Sequence, residues 1–435
     1  MRRLLYPFLA LLVSLAILLT GGGLLGTLLS VRMGVEEFPT QVIGLVMACY
    51  SVGFVVATLV CERIIRKVGH IRTFAALSAI AASSTLIYPL AVEPWVWGLM
   101  RGIFGFCLAG LYMLTESWLN DRTPREFRGQ VLAFYMITSY AALGGGQFLL
   151  NLWDVSGFQL FSLAAFLFAL SLVPVALTRA PSPELVDARP IGLRELYAIS
   201  PLGLLGSTCA GVIAGSFFAM GPVYAGGAGF SLSEVAALMG ATILGGLVLQ
   251  WPLGKLADVY DRRSTILGVA LAVGGCSFAI AIAGAGPSLL ILGLAALWGG
   301  LAFTVYPLSL ALANDFVAPE DLVGAAAGLL MMHGVGMIVG PIGSAYLMER
   351  IGPAGLFWGV GATALLLALF ALYRKQVGEP LPLDEQTDFV AVPLAATVLT
   401  ATLDPRSEEQ QLEFEFEFAA EPTGADEGEA GRSEG

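Results

Sequence analysis

Placed on a helical wheel at about 100° per residue with Arg101 as zero, Gly105 falls at about 40°, Tyr112 at about 20°, Thr115 at about −40° and Glu116 at about 60°. One polar stripe thus runs along an otherwise apolar segment, and its cation and its acid must face protein or water rather than lipid. His333 sits in the middle of another apolar segment, and imidazole gains or loses a proton close to neutral pH. Arginine, tyrosine, one acid and one imidazole make a set suited to holding a solute and passing a proton, and they suit sugars, amphipathic drugs or organic acids alike. No nucleophile–base pair, metal-ligand spacing or G-x-x-x-x-G-K-[ST] phosphate loop occurs. Enzymatic chemistry, a bound metal or cofactor and direct drive by ATP are therefore not expected. Gly21-Gly22-Gly23 with Gly26 matches a dinucleotide fingerprint in letters only, since no strand precedes it.

Depth leaves two readings open for each charged group. Arg101 lies about 9 Å from the outer end of its helix and Glu116 about 30 Å along it, so each either lines a cavity or snorkels to an interface. For Glu116 the interfacial partners would be Arg122 and Arg125. His333, about 17 Å into its helix, is either a proton relay or a structural imidazole bonded to a carbonyl.

The elements that carry these residues are membrane spans. Of 435 residues 57% are hydrophobic and 13% charged, against about 25% charged in a soluble domain. Twelve apolar runs are long enough to cross a bilayer: 5–30, 40–61, 73–92, 95–119, 129–150, 157–178, 199–225, 232–254, 264–285, 287–313, 322–347 and 354–373. In lipid such runs have to be helices, so the fold class is an all-α polytopic membrane protein. Seventeen Lys and Arg fall on one side of the spans and only Arg32 and Arg350 on the other, which places both termini in the cytoplasm. Arg2-Arg3 before the first run imitates a secretory signal, but the run is long, lacks an A-x-A site and is followed by further spans, so a retained helix is expected. Cys49, Cys61, Cys107, Cys209 and Cys276 all lie in spans or at their edges, without a disulfide framework.

The chain is also duplicated. Leu111–Asp121 (LYMLTESWLND) aligns with Val305–Asp315 (VYPLSLALAND), pairing Tyr112 with Tyr306 and Asn120-Asp121 with Asn314-Asp315. Gly53 recurs as Gly245, and Pro124, Gly129 and Gly145 recur as Pro319, Gly324 and Gly340. Two six-helix bundles follow, residues 1–178 and 199–376, joined by a linker over 179–198 and followed by an acidic tail over 377–435. The tenth span presents Gly299, Tyr306 and Ser309 where the fourth presents its stripe, so Arg101, Tyr112, Glu116, Tyr306 and Ser309 are expected to line one route, with Glu116 or His333 carrying a proton. Glycine clusters within the spans are expected to let helices approach closely.

At the basic end of the eighth span, Gly254-Lys-Leu-Ala-Asp258-Val-Tyr-Asp261-Arg262-Arg263 resembles the G-x-x-x-D-x-x-G-R-[RK] loop signature of the major facilitator superfamily, with Asp261 where the family carries Gly. The first half retains Gly69 and Arg72 but has Glu62 and Arg66 at the leading Gly and acidic positions. Arg101-x-x-x-Gly105 is similar to the family's fourth-helix pattern, and Glu116 to Gly129 (ESWLNDRTPREFRG) resembles a stretch of the YcaD-like bacterial branch. The resemblance implies two pseudo-symmetric six-helix bundles, secondary active transport of a small solute by alternating access, and a gating motif of Gly254, Asp258, Arg262 and Arg263. Positive dipole ends place Asp258 against the start of the fifth span, near Arg128. Gly336-x-x-x-Gly340-Pro341 resembles the family's antiporter pattern but lies on the eleventh span instead of the fifth, so import and export both stay open.

The net charge of −11 belongs to the tail, which holds 15 of 33 acids; nucleic acid is not an expected partner. Leu412–Phe418 alternates L-E-F-E-F-E-F and either pairs with the run near Phe389–Leu403 as a hairpin or stays disordered until it meets a cytoplasmic partner. Within the linker, GLRELYAIS suits a short amphipathic helix at the interface. The expected setting is a bacterial cytoplasmic membrane, as a monomer in lipid. The competing class is a transporter-shaped sensor or scaffold signalling through its tail.

Overall fold

The computed structural model describes residues 2–123, 127–177, 191–283, 286, 288–318 and 321–377, and in the tail residues 382, 386, 389, 390 and 397. The first half comprises spans one to six: Arg2–Val35, Thr40–Val68, His70–Ile87, Pro94–Arg122, Arg128–Gly146 with a 3₁₀ turn over Gln147–Asn151, and Gln159–Leu170 continued by Leu172–Ala176. The second comprises spans seven to twelve: Pro201–Gly227, Leu232–Val259, Arg262–Ala283, Leu289–Ala302 continued by Val305–Asn314, Leu322–Ile351 and Gly355–Val377. Ten of these are long and apolar enough to cross a membrane by themselves. The third and fifth are shorter and more polar, and they complete the array by packing on spans four and six and on spans one and eight.

Two spans are broken, and proline accounts for both. Pro174 and Pro307 lack an N–H, and their rings clash with the carbonyl four residues back, at Leu170 and Phe303, where the helices stop. The fourth span has Met113 at the place of Pro307 and runs unbroken.

Packing repeats with the sequence. Spans two and four pack as eight and ten do, one and five as seven and eleven, three and six as nine and twelve. The halves meet through spans two and eleven and through five and eight, contacts that exchange under the same pseudo-two-fold, with spans one and seven beside the axis. Glycine makes these repeats. A Cβ at Gly53 would collide with the carbonyl of Gly102 and one at Gly105 with that of Tyr50; in the second half Gly245 meets Ala296 and Gly299 meets Thr242 in the same way. Likewise Gly146 rests on the Thr20 carbonyl as Gly340 rests on that of Val212. This corrects the sequence pairing of Gly145 with Gly340 by one residue.

A second repeated device closes the arginine-rich end. Arg262, 1% exposed, donates through Nη1 to the Ala311 carbonyl at 2.8 Å and pairs with the Asp315 carboxylate. The matching first-half residue, His70, is also buried, lies 3.2 Å from Ser117 Oγ and packs its ring 5.5 Å from Trp118. One copy thus secures its loop with an ion pair and the other with a neutral hydrogen bond. Asp261 explains its own departure from glycine: its Oδ2 accepts from the Ser264 amide at 3.0 Å and hydroxyl at 2.8 Å, capping the start of the ninth span.

The expected linker helix is present as Leu193–Ile199, and its buried Leu196 packs with Ala313, Ala325 and Leu329 of the second half. The expected hairpin falls outside the described residues.

Candidate functional site

Where spans from both halves face one another lies a cavity of about 190 Å³. Span one contributes Gly22, Gly23, Gly26 and Thr27 to it; span two Tyr50, Ser51 and Phe54; span four Arg101, Phe104 and Tyr112; span five Tyr140 and Gln147. From the second half come Phe218, Phe303, Tyr306, His333 and Met337, among others. The break after Ala302 turns Phe303 toward the space, where its ring stacks on Phe218 with centroids 5.4 Å apart and planes 7° from parallel. Small residues on span one leave the room that the aromatic rings of the other spans enclose.

Arg101 is 7% exposed. Its guanidinium carbon lies 4.8 Å from the Tyr50 ring centroid and 5.8 Å from that of Phe104, and its Nε is buried with no hydrogen-bond partner. Among the described residues it meets no carboxylate. No other described lining residue carries a formal charge. His333 Nδ1 lies 3.2 Å from the Ser207 carbonyl. A carbonyl only accepts, so the proton sits on Nδ1 and Nε2 is left as an acceptor. The ring centroids of His333 and Tyr306 are 4.7 Å apart.

Of the residues expected along the route, Arg101, Tyr112, Tyr306 and His333 all line this cavity, whereas Glu116 and Ser309 are not among its lining residues. Ser309 Oγ donates back to the Val305 carbonyl at 2.7 Å and faces Gly206 of span seven, where any side chain would strike it. Glu116 is fully buried nearer the arginine-rich end; its carboxylate accepts from the Tyr135 hydroxyl at 2.8 Å and from the Thr397 amide at 3.2 Å, with the Thr397 hydroxyl also donating to it. A tail residue therefore reaches the acid of the fourth-span stripe.

The tail meets the loop signature too. Phe389 donates its amide to Asp258 Oδ1 at 2.7 Å, and its ring covers Gly254 so closely that a Cβ there would collide with it. Asp258 otherwise lies 3.9 Å from Arg262, one helical turn on, rather than against Arg128 as expected. The tail amide holds the carboxylate that the start of span five was expected to hold. Arg263 places its guanidinium 5.8 Å from the Phe316 ring.

Residues that the sequence did not single out complete the site. Gln147, 2% exposed, accepts the Thr27 hydroxyl at 2.5 Å, and Tyr140 donates to Gln250 at 3.1 Å across the two halves. A lone amide in an apolar span was the available signal, since such a group is costly in lipid unless a partner meets it. The described residues contain no cluster able to hold a metal ion, and all five cysteines are free.

Comparison with known proteins gives a consistent result. The model of the Major Facilitator Superfamily matches residues 11–333. An uncharacterized MFS-type transporter of Yersinia enterocolitica is 30% identical over 392 residues, covering 89% of this chain and 98% of its own. The uncharacterized MFS-type transporter YcaD of Escherichia fergusonii is 26% identical, over 84% of this chain and 95% of its own. Among solved structures, the nucleoside transporter NupG aligns with a TM-score of 0.73 over 86% of this chain and 100% of its own at 16% identity, a likeness of fold.

Proposed function

Because this chain belongs to the Major Facilitator Superfamily, we propose that it moves a small solute across a bacterial inner membrane by alternating access, with the central cavity as the solute's seat. One observation carries this: both halves line the cavity, and the surfaces through which they meet, spans two with eleven and five with eight, are related by the pseudo-two-fold. Surfaces so related can part on one side while closing on the other.

In this reading Arg101, Tyr112 and Tyr306 contact the solute, while Ser309 anchors span ten against span seven. The arginine-rich end is cytoplasmic, by the positive-inside distribution. Gly254, Asp258, Arg262 and Arg263 form the gate at that end. Proton coupling runs through His333, which lines the cavity; Glu116 is the second candidate, reached from the cytoplasmic end. The bilayer and a solute suffice as partners, with one chain as the working unit.

Reconstituted chain should give saturable solute exchange in proteoliposomes and uphill accumulation when a pH gradient is imposed. His333→Ala should keep exchange and lose the response to the gradient; an unchanged gradient response would remove His333 from the coupling. A panel of labelled solutes with no saturable flux in either direction would refute transport and favour the sensor reading, in which deletion of residues 379–435 abolishes output without any flux to lose.

A further inference from the structure

We propose that the solute is an anion, an aromatic or apolar carboxylate of about the size of benzoate, bound with its negative group at Arg101; this rests on the transport reading above. Arg101 is more than nine-tenths buried, and among the described residues its guanidinium is held by two ring faces. Among the described residues its Nε has no hydrogen-bond partner and no acid lines the cavity. A desolvated cation without a counter-charge is costly, and the quadrupole of a ring offsets only part of that cost. A carboxylate would complete the site, since its two oxygens match the fork of a guanidinium.

The rest of the wall sets the body of the ligand. Tyr50, Phe54, Phe104, Phe218 and Phe303 surround the space, so the remainder of the solute meets ring faces. Gly26 stands beside the charge, and even a methyl group built there would lie only 3.9 Å from Arg101 Nη2. A neutral solute would leave the cation uncompensated and a cationic one would be repelled.

The test is equilibrium dialysis of labelled benzoate, its neutral isostere benzamide and the cation benzylamine against the full chain in nanodiscs, with a set of longer aliphatic carboxylates and their amides. Carboxylates should bind at least about tenfold more tightly than their amides, Arg101→Gln should abolish the difference, and Arg101→Lys should retain part of it as a point charge. Equal binding of acid and amide, absence of binding by every carboxylate, or an Arg101→Gln chain that keeps the preference would each overturn the anion site. Counterflow in proteoliposomes is scored separately. Carboxylate binding without flux would refute transport and leave the site standing, whereas flux of neutral solutes indifferent to Arg101→Gln would do the reverse.

A different observation carries a second inference. Phe389 is bonded to Asp258 of span eight and Thr397 to Glu116 of span four, so the two described tail residues each hold one half. Thr397 is 4% exposed, and Phe389 and Val390 pack against the hydrophobic core. At the other end the halves are already in contact, Ser30 Oγ donating to the Ala219 carbonyl at 2.9 Å and Gly44 lying against Pro341 and Ala345. From these contacts we infer that Phe389 and Thr397 act as a strap holding the halves in one arrangement, and that they must leave before the halves can rock. In the full chain, Phe389→Pro with Thr397→Pro, each lacking the amide that makes the tie, should release it. Amide hydrogen exchange should show protection at residues 389 and 397 in the parent chain. In the double variant, exchange at residues 30–36 and 44–47 should rise severalfold as the far contacts begin to open. A parent tail that exchanges as fast as a free peptide, or far-end protection that the double variant leaves unaltered, would dispose of the strap.

Discussion

Arg262 and His70 hold equivalent positions in the two halves but confront different penalties. Arg262→Met breaks the buried ion pair with the Asp315 side chain, 1% exposed, at a cost of about 3–5 kcal/mol. The thermal midpoint in detergent should fall accordingly, and Arg262→Met with Asp315→Leu should recover most of the loss. His70→Ala should cost less, because only a neutral hydrogen bond to Ser117 and a ring contact are removed. This difference was invisible in the loop signature, which marks Arg262 as basic without saying that its side chain turns inward. Arg101, Tyr112 and Tyr306 were legible because a charge or hydroxyl on one stripe of an apolar helix has few places to go. Ser309 lies near the same stripe yet packs on span seven, since a wheel fixes an angle but not which neighbouring helix occupies it.

At the level of the element, proline and glycine decide shape. Pro307→Ala should allow the tenth span to run through Phe303 and Thr304, as Met113 allows in the fourth. Slower amide exchange over residues 303–306 is the expected sign, and unchanged exchange would mean that packing, not the ring, imposes the break. Gly105→Leu and Gly299→Leu should each destabilise by at least about 1–3 kcal/mol, since each side chain would have to enter the backbone of its partner span. Equal losses of thermal midpoint in the two would support the shared origin of the contacts. The spans themselves were readable from apolar length, whereas the breaks needed the position of each proline relative to the helix start. The offset between repeats slipped by one at Gly145 because a run of three glycines gives the alignment nothing to grip, while the Thr20 carbonyl beneath Gly146 does.

For the whole molecule, the contact between Ser30 and Ala219 offers a lock. Oxidation of a chain carrying Ser30→Cys and Ala219→Cys should halt solute exchange, and reductant should restore it; undiminished flux in the cross-linked chain would refute movement at that end. Two halves were evident from repeated letters alone, because duplication preserves sequence and packing together. The tail's seat was not: a strand-like pattern and an excess of acids reveal nothing about which carboxylates elsewhere its amides will meet. The repeat also places Ala295 opposite Arg101 in the family history of the two copies, with 1% of its surface exposed. Had both copies carried arginine, a second buried cation would have needed compensation of its own. Halves sharing a chamber thus divide their labour unequally, one supplying the charge and both the aromatic wall, so exchanging the halves' sequences would be no neutral swap.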